Sequence, residues 1–265
     1  MPELPEVEAV VARARRAAKG RTIRKIEVLR ASAVRPQTAA LVARRAGNRR
    51  IENIERRGKN ILIRLAGGYT IRIHLKLNGD LHTDGVNWSS RVIFHLSGAR
   101  QLVFDEPRAL GTVNVLDEKQ LAAALAGIGP EPLSREFRAE DFVEAAGKSR
   151  LAAKLFLMDQ KRVAGLGNVY AAEALFRARI HPGRRMNELG AGEAGELYGA
   201  IREVLREAVK SAKIAYNHPG GHKEAARFKP SVYGREGEPC VRCGSRIRRI
   251  QQGGRSTYFC AHCQR

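Results

Sequence analysis

From Pro5 to about Lys19, apolar residues fall at Val7, Val10, Val11, Ala14 and Ala17, the i, i+3, i+4, i+7 spacing of one helix face. The spacing predicts an amphipathic helix, opened by Pro5 at its first position, that anchors the amino terminus against a core. Beyond it the period shortens. Thr22 to Leu29, Ile61 to Leu65, Tyr69 to Leu77, Arg91 to Leu96 and Gln101 to Phe104 are short runs rich in β-branched residues, punctuated by Gly67-Gly68, Asn78-Gly79 and Ser97-Gly98. An antiparallel sandwich or barrel is the economical reading. After Asp117 helical spacing returns over residues 118–126, 139–147, 151–160, 168–178 and 187–214, with breaks at Gly127-Ile128-Gly129-Pro130, Gly165-Leu166-Gly167 and His181-Pro182-Gly183. Residues 217–235 read as a mobile loop, and there is no internal repeat. Strands followed by helices predict an α+β chain: a β-rich domain over 1–116, a connection over 117–135, a helical domain over 136–235 and a terminal module over 236–265.

Charge narrows the partner. The 265 residues carry 48 basic against 27 acidic side chains, a net charge of +21. A solvated basic surface does not need such an excess; a polyanion does, and nucleic acid leads. Charge alone leaves an RNA- or ribosome-associated protein open. No apolar run approaches the ~18 residues needed to span a bilayer, and the first residues lack a secretory pattern. The expectation is a cytoplasmic, nucleoid-associated bacterial protein with no membrane partner.

Two stretches carry strong chemistry. Cys240-x2-Cys243, sixteen residues, then Cys260-x2-Cys263 is zinc-ribbon spacing. Four thiolates fill a tetrahedral sphere, so one structural Zn2+ is expected. Arg246, Arg248, Arg249 and Arg255 between the knuckles predict a hairpin facing phosphate. At the other end, Met1-Pro2-Glu3-Leu4-Pro5-Glu6 places a secondary amine beside two carboxylates once Met1 is removed. An α-amino group titrates near pH 7.7 to 8, so a useful fraction is nucleophilic at neutral pH. With Met1 retained, that nitrogen is an amide and inert. The bland alternatives are a proline in a first helical turn and glutamates favoured there by the helix dipole. A third stretch, Asp159 to Tyr170, has Gly165-Leu166-Gly167-Asn168 opening a helix, which suits a phosphate or ordinary capping.

Taken together, the chain resembles the formamidopyrimidine-DNA glycosylase and endonuclease VIII family of helix-two-turn-helix repair enzymes. The resemblance runs nearly full length. It rests on MPELPEVE, Arg57-Gly58-Lys59, Asp159 to His181-Pro182, Val232-Tyr233-Gly234-Arg235-Glu236-Gly237-Glu238-Pro239-Cys240 and Gly254-Arg255-Ser256-Thr257-Tyr258-Phe259-Cys260. It implies an amino-terminal β-sandwich with a leading helix, a helix-two-turn-helix domain with a four-cysteine finger, and an active site in a cleft between them. The implied activity is that of a monomeric bifunctional glycosylase and abasic-site lyase on damaged double-stranded DNA, removing formamidopyrimidines and 8-oxoguanine by β,δ-elimination.

Residue by residue, the resemblance makes Pro2 the nucleophile at C1′, Glu3 the general acid/base and Glu6 a residue that holds amine and sugar. Lys59, otherwise a hairpin cation, matches the catalytic lysine, and Arg255 the finger arginine that assists δ-elimination. Lys154, Asn168, Arg108, His74 and Arg91 match DNA-contacting positions; Lys154 otherwise reads as an exposed helix cation. Leu77, Arg108 and Leu110 match residues that fill the vacated duplex, although both leucines also pass as core. From Asn217 to Pro230 the chain departs from the lid of the formamidopyrimidine branch, and Ala226-Arg227-Phe228-Lys229 is closer to the endonuclease VIII pattern. A preference for oxidised pyrimidines or abasic sites is therefore the alternative. A non-catalytic zinc-finger damage-binding protein is the rival from another class.

Overall fold

The computed structural model describes residues 1–216 and 228–265. Contacts divide the chain into two units: Met1–Gly127 with the described part of Ser211–Ala225, and Ile128–Lys210 with the described part of Ala226–Arg265.

In the first unit, helix α1 (Leu4–Ala18) buries the predicted Val7, Val10, Val11 and Ala14, together with Leu4 and Ala18, while the predicted Ala17 is only half-buried. Pro5 is its second residue, not its first. Strands β1 (Ile23–Val28), β2 (Ile51–Arg57), β3 (Asn60–Leu65), β4 (Thr70–His74), β5 (Asp80–His82), β6 (Ser90–Leu96), β7 (Arg100–Asp105) and β8 (Thr112–Leu116) form two four-stranded antiparallel sheets. Their orders are β1-β6-β7-β5 and β2-β3-β4-β8. One apolar core includes side chains from both sheets and from α1, among them Ile26, Val92, Phe94 and Phe104 against Ile54, Ile61, Ile73 and Val113. Helix α2 (Ala39–Ala46) adds Val42 and Ala46.

The spacing missed β2, for a physical reason. A register shift between Ile51 and Asn53 lets Ile51 and Ile54 both bury, which breaks the alternation of a regular strand. The run Tyr69 to Leu77 also overreached. Ile71, Ile73 and Leu75 all bury, but the strand stops at His74, and Lys76 adopts a positive φ of 53°. Leu77 thus sits in a turn.

The helices run α3 (Glu118–Leu125), α4 (Ala139–Gly147), α5 (Ala153–Met158), α6 (Asn168–Arg177) and α7 (Ala191–Ala215). The last of these extends from the second unit into the first, where Ala212, Ala215 and the following Tyr216 join the sandwich core. Within the second unit, Gln160 fixes the glycine-rich turn: its amide donates to the carbonyls of Met158 (3.0 Å) and Leu166 (2.7 Å) and accepts from Gly165 N–H (2.9 Å). Strands β9 (Arg248–Gln252) and β10 (Arg255–Phe259) form the closing hairpin. Of the loop at 217–235, residues 217–227 lie outside the described residues.

Candidate functional site

Pro2 immediately precedes the capping residue of α1. Glu3 is that cap, buried, and Glu6 Oε2 accepts the Glu3 N–H at 2.8 Å, as a capping box does. Glu6 is thereby oriented toward the start of the chain. A cavity of about 200 Å³ opens here, lined by Met1, Pro2, Glu6, Leu77, Asn78, Gly79 and Tyr216. Tyr216 escaped the sequence reading; its only signal was the apolar end of the last helical run. Burial, then the negative charge of Glu6 and Asp80, pushes its phenol upward, so it stays protonated. Arg13 pairs with Asp80 and donates to the carbonyls of Leu81 (2.9 Å) and Tyr216 (3.3 Å), tying α1 to the cavity wall.

Lys59 occupies the tight turn between β2 and β3 and is buried. Arg56 donates to Gly58 O at 3.1 Å and Asn60 to Arg57 O at 3.1 Å, so the turn closes on itself. Asn60 pairs across the sheet with His74. Burial first, then the positive charges of Lys76, Arg72 and Lys59, lowers His74 to about 4. The ring is neutral near pH 7, and its Nδ1 accepts the Lys76 N–H at 3.0 Å.

Arg108 is exposed and Leu110 is 49 % exposed, on one turn between β7 and β8. Leu110 is therefore no core residue. Arg91 is buried, and its guanidinium donates to Glu106 O (2.7 Å), Pro107 O (3.3 Å) and Trp88 O (3.5 Å). Its charge is engaged by backbone carbonyls.

In the second unit Lys154, matched to a DNA-contacting position, is 1 % exposed, which removes the alternative of an exposed helix cation. Its Nζ donates to Thr257 Oγ1 at 2.8 Å and to Ser256 O at 3.1 Å. Asn168, the first residue of α6, donates from Nδ2 to the same Ser256 carbonyl at 3.0 Å, while its Oδ1 is buried with no hydrogen-bond partner among the described residues. These donors fasten β10, whose first residue is the exposed Arg255. The hairpin turn preceding it has φ of 53° at Gly253 and 72° at Gly254, the conformation that requires glycine in a two-residue turn.

The four cysteine Sγ atoms lie within 4.8 Å of one another, with Cys240 to Cys263 at 3.9 Å and Cys243 to Cys260 at 3.5 Å. A tetrahedral zinc–thiolate centre has sulfur–sulfur edges of about 3.8 Å, from bonds of about 2.3 Å. The residues fit one structural zinc, which closes the finger and leaves no open position for chemistry.

A two-sheet sandwich led by a helix, and a helical unit ending in a four-cysteine hairpin, define the class of helix-two-turn-helix DNA-repair glycosylases. The chain belongs to the formamidopyrimidine-DNA glycosylase family. Its residues 1–113 match the formamidopyrimidine-DNA glycosylase N-terminal domain, 128–218 the H2TH domain of that glycosylase, and 237–265 the zinc finger found in FPG and IleRS. The formamidopyrimidine-DNA glycosylase of Chloroflexus aurantiacus is 40 % identical over 275 residues, covering 100 % of this chain and 98 % of that one. That of Ruegeria pomeroyi is 37 % identical over 288 residues, covering both chains fully. Among solved structures, Lactococcus lactis Fpg (MutM) bound to DNA containing N7-benzyl-Fapy-dG has 31 % identity, 99 % coverage of both chains and a TM-score of 0.90. The MutM (Fpg) protein of Thermus thermophilus has 36 % identity, coverage of 99 % and 98 %, and a TM-score of 0.86.

Proposed function

We propose that this base-excision repair enzyme removes formamidopyrimidines and 8-oxoguanine from double-stranded DNA and cuts the strand at the resulting site, with Pro2 as the covalent nucleophile. The observation carrying this reading is the cavity that holds Pro2 and Glu6 at the capped start of α1, in a chain related to these glycosylases along its whole length. After Met1 is removed, the neutral Pro2 nitrogen attacks C1′. The C1′–base bond breaks, and the base leaves with a proton supplied by Glu3 or Lys59. The attached nitrogen loses its proton, and its lone pair forms the C1′=N bond as the C1′–O4′ bond breaks and O4′ is protonated. The sugar ring thus opens to an iminium whose positive charge draws electrons from C2′ and acidifies its proton. Loss of that proton expels the 3′ phosphate, and a second elimination expels the 5′ phosphate. Glu6 holds the amine and sugar, while Arg255 grips the phosphate beside the lesion. Arg108, His74, Arg91, Lys154 and Asn168 belong to the DNA-binding surface, directly or through the loops they hold. Leu77, Arg108 and Leu110 occupy the space left when the nucleotide flips out.

Zinc keeps the finger folded and takes no part in bond making. No helix among the described residues is long and apolar enough to cross a membrane, and the matched relatives are bacterial. We place the enzyme in the bacterial cytoplasm, at the nucleoid, acting as a monomer.

Borohydride trapping on duplexes carrying abasic sites, 8-oxoguanine, formamidopyrimidines or oxidised pyrimidines tests the reading. The expected result is an adduct and scission on the purine lesions, both reduced to background in protein that keeps Met1 and weakened in Pro2→Gly, whose exposed amine is primary and can still form an imine. No adduct on any duplex would overturn the covalent mechanism. Adducts confined to pyrimidine lesions or abasic sites would shift the assignment to the endonuclease VIII-like preference.

A further inference from the structure

Trp88 is the only tryptophan of the chain, and it is 79 % exposed. Exposure on a loose loop would mean little, but this turn is fixed from every side. Asn87 N–H donates to Ser90 Oγ at 2.9 Å, and Ser89 N–H to Asn87 Oδ1 at 2.8 Å. The Asp105 carboxylate accepts from Ser90 Oγ (2.7 Å), Ser89 Oγ (3.1 Å), Asn87 Nδ2 and His82 Nε2 (2.9 Å). Glu106 N–H then donates to Ser89 O at 2.9 Å.

The same scaffold holds the neighbouring turn that bears Arg108 and Leu110. Glu106 is 0 % exposed, and its carboxylate accepts the N–H groups of Leu110, Arg108 (3.3 Å) and Gly111 (3.3 Å). A Cβ at Gly111 would lie 2.7 Å from Phe104 Cζ and 2.8 Å from Glu106 Cγ, so only glycine permits this approach. Arg91 bridges the two turns by donating to Trp88 O, Glu106 O and Pro107 O. Trp88, Arg108 and Leu110 are therefore displayed from one preformed ledge. The ledge fixes the backbone that carries the indole, and an exposed aromatic on a fixed backbone is suited to a flat apolar partner.

We propose that Trp88 is a further DNA-contacting residue, its indole packing on the base or deoxyribose of a nucleotide near the lesion. Glu106 and Arg91 position it without touching the nucleotide. The occupant is duplex DNA because the ledge carries Arg108 and is continuous with the candidate interface, in a chain of net charge +21. The proposal rests on the reading of this chain as a damaged-DNA enzyme.

Because the chain has one tryptophan, emission excited at the red edge, where its six tyrosines do not absorb, reports this side chain alone. The zinc-loaded full-length chain is titrated with a fluorescein-labelled duplex containing a tetrahydrofuran abasic analogue, with binding followed by anisotropy. Unlabelled duplex of the same sequence serves for tryptophan emission and acrylamide quenching. At saturation, emission should change and quenching should fall several-fold. Trp88→Ala should weaken binding about tenfold, within the range for loss of one base-stacking aromatic, and Trp88→Phe should recover most of it. Saturation by anisotropy with unchanged emission and unchanged quenching would overturn the proposal and leave the enzyme reading intact. Absence of binding to the damaged duplex would overturn both.

Discussion

Arg108 and Arg255 both stand exposed at tight turns, yet the turns are secured in opposite ways. The first is held from below by an anion, with Glu106 gathering three backbone N–H groups. The second is held by donors, with Lys154 Nζ and Asn168 Nδ2 converging on the Ser256 carbonyl, and by four cysteines suited to a metal. A sandwich core lies beneath the first turn, so a buried side chain suffices. The finger has few buried apolar residues of its own, and a small module of that kind needs a staple. Arg108 is thus poised by the fold itself, and Arg255 only when the ion and the helix donors are in place.

The largest expected effect sharpens that contrast. Chelation, or Cys260→Ser, should unfold the finger, because structural zinc contributes on the order of 10 kcal/mol in small finger modules. DNA binding should fall by at least about a hundredfold while sandwich amides stay protected in hydrogen exchange. Undiminished binding after verified zinc loss would show that the hairpin is held without the metal.

Lys154→Met comes next. It removes a charged donor from a site shared with Thr257, and should lower the stability of the second unit by about 2 kcal/mol. Thermal unfolding of the zinc-loaded protein measures this; an unaltered midpoint would mean that Asn168 alone secures β10.

Glu106→Gln keeps one carbonyl acceptor and loses the charge, at a cost of about 1 to 2 kcal/mol. Affinity for the abasic-analogue duplex should drop roughly 5- to 30-fold, and the change of Trp88 emission on binding should shrink with it. Retained affinity would mean that the turn is not preorganised by this carboxylate.

The smallest effect concerns pH at the ledge. Burial alone would lower His82, but the Asp105 hydrogen bond and nearby carboxylates outweigh it and raise the ring. Burial alone would raise Asp105, but its bonds from His82, Ser90 and Asn87 hold it at about 2. The histidine contribution is complete below pH ~6.5 and is lost as pH climbs through the raised value; the aspartate contribution is complete above pH ~4 and is lost toward about 2. Between roughly pH 4 and 6.5 the pair stabilises the turn most. On the alkaline side the loss should stay below about 1 kcal/mol, because neutral His82 still donates from Nε2 while Nδ1 accepts the Asp84 N–H at 3.2 Å. Acrylamide quenching of Trp88 across pH 5 to 9 would detect it, and His82→Gln should flatten the profile.

The strands from Ile23 and Arg100 and the helices from Glu118 and Ala139 were legible, since each repeats a local period. Strand β2 was not, because its bulge moves an isoleucine out of alternation, and Leu77 looked like strand because Ile71, Ile73 and Leu75 bury in step up to the turn at Lys76. Nor was Lys154, matched to a DNA-contacting position, legible as buried. Its partners are 102 and 103 residues away, and no nearby pattern announces them.

The amino acid order by itself determined the two periodicities, the cysteine spacing, the basic excess and the carboxylates that follow Pro2, because each is written within a few neighbouring residues or in bulk composition. Only the tertiary structure decided that Tyr216 faces Pro2, that Glu106 supports the turn of Arg108 and Leu110, and that Arg91 lies beneath Trp88. Buried polar groups bond to whichever partner the packed core brings within about 3 Å, and that choice is made by the chain's path through space.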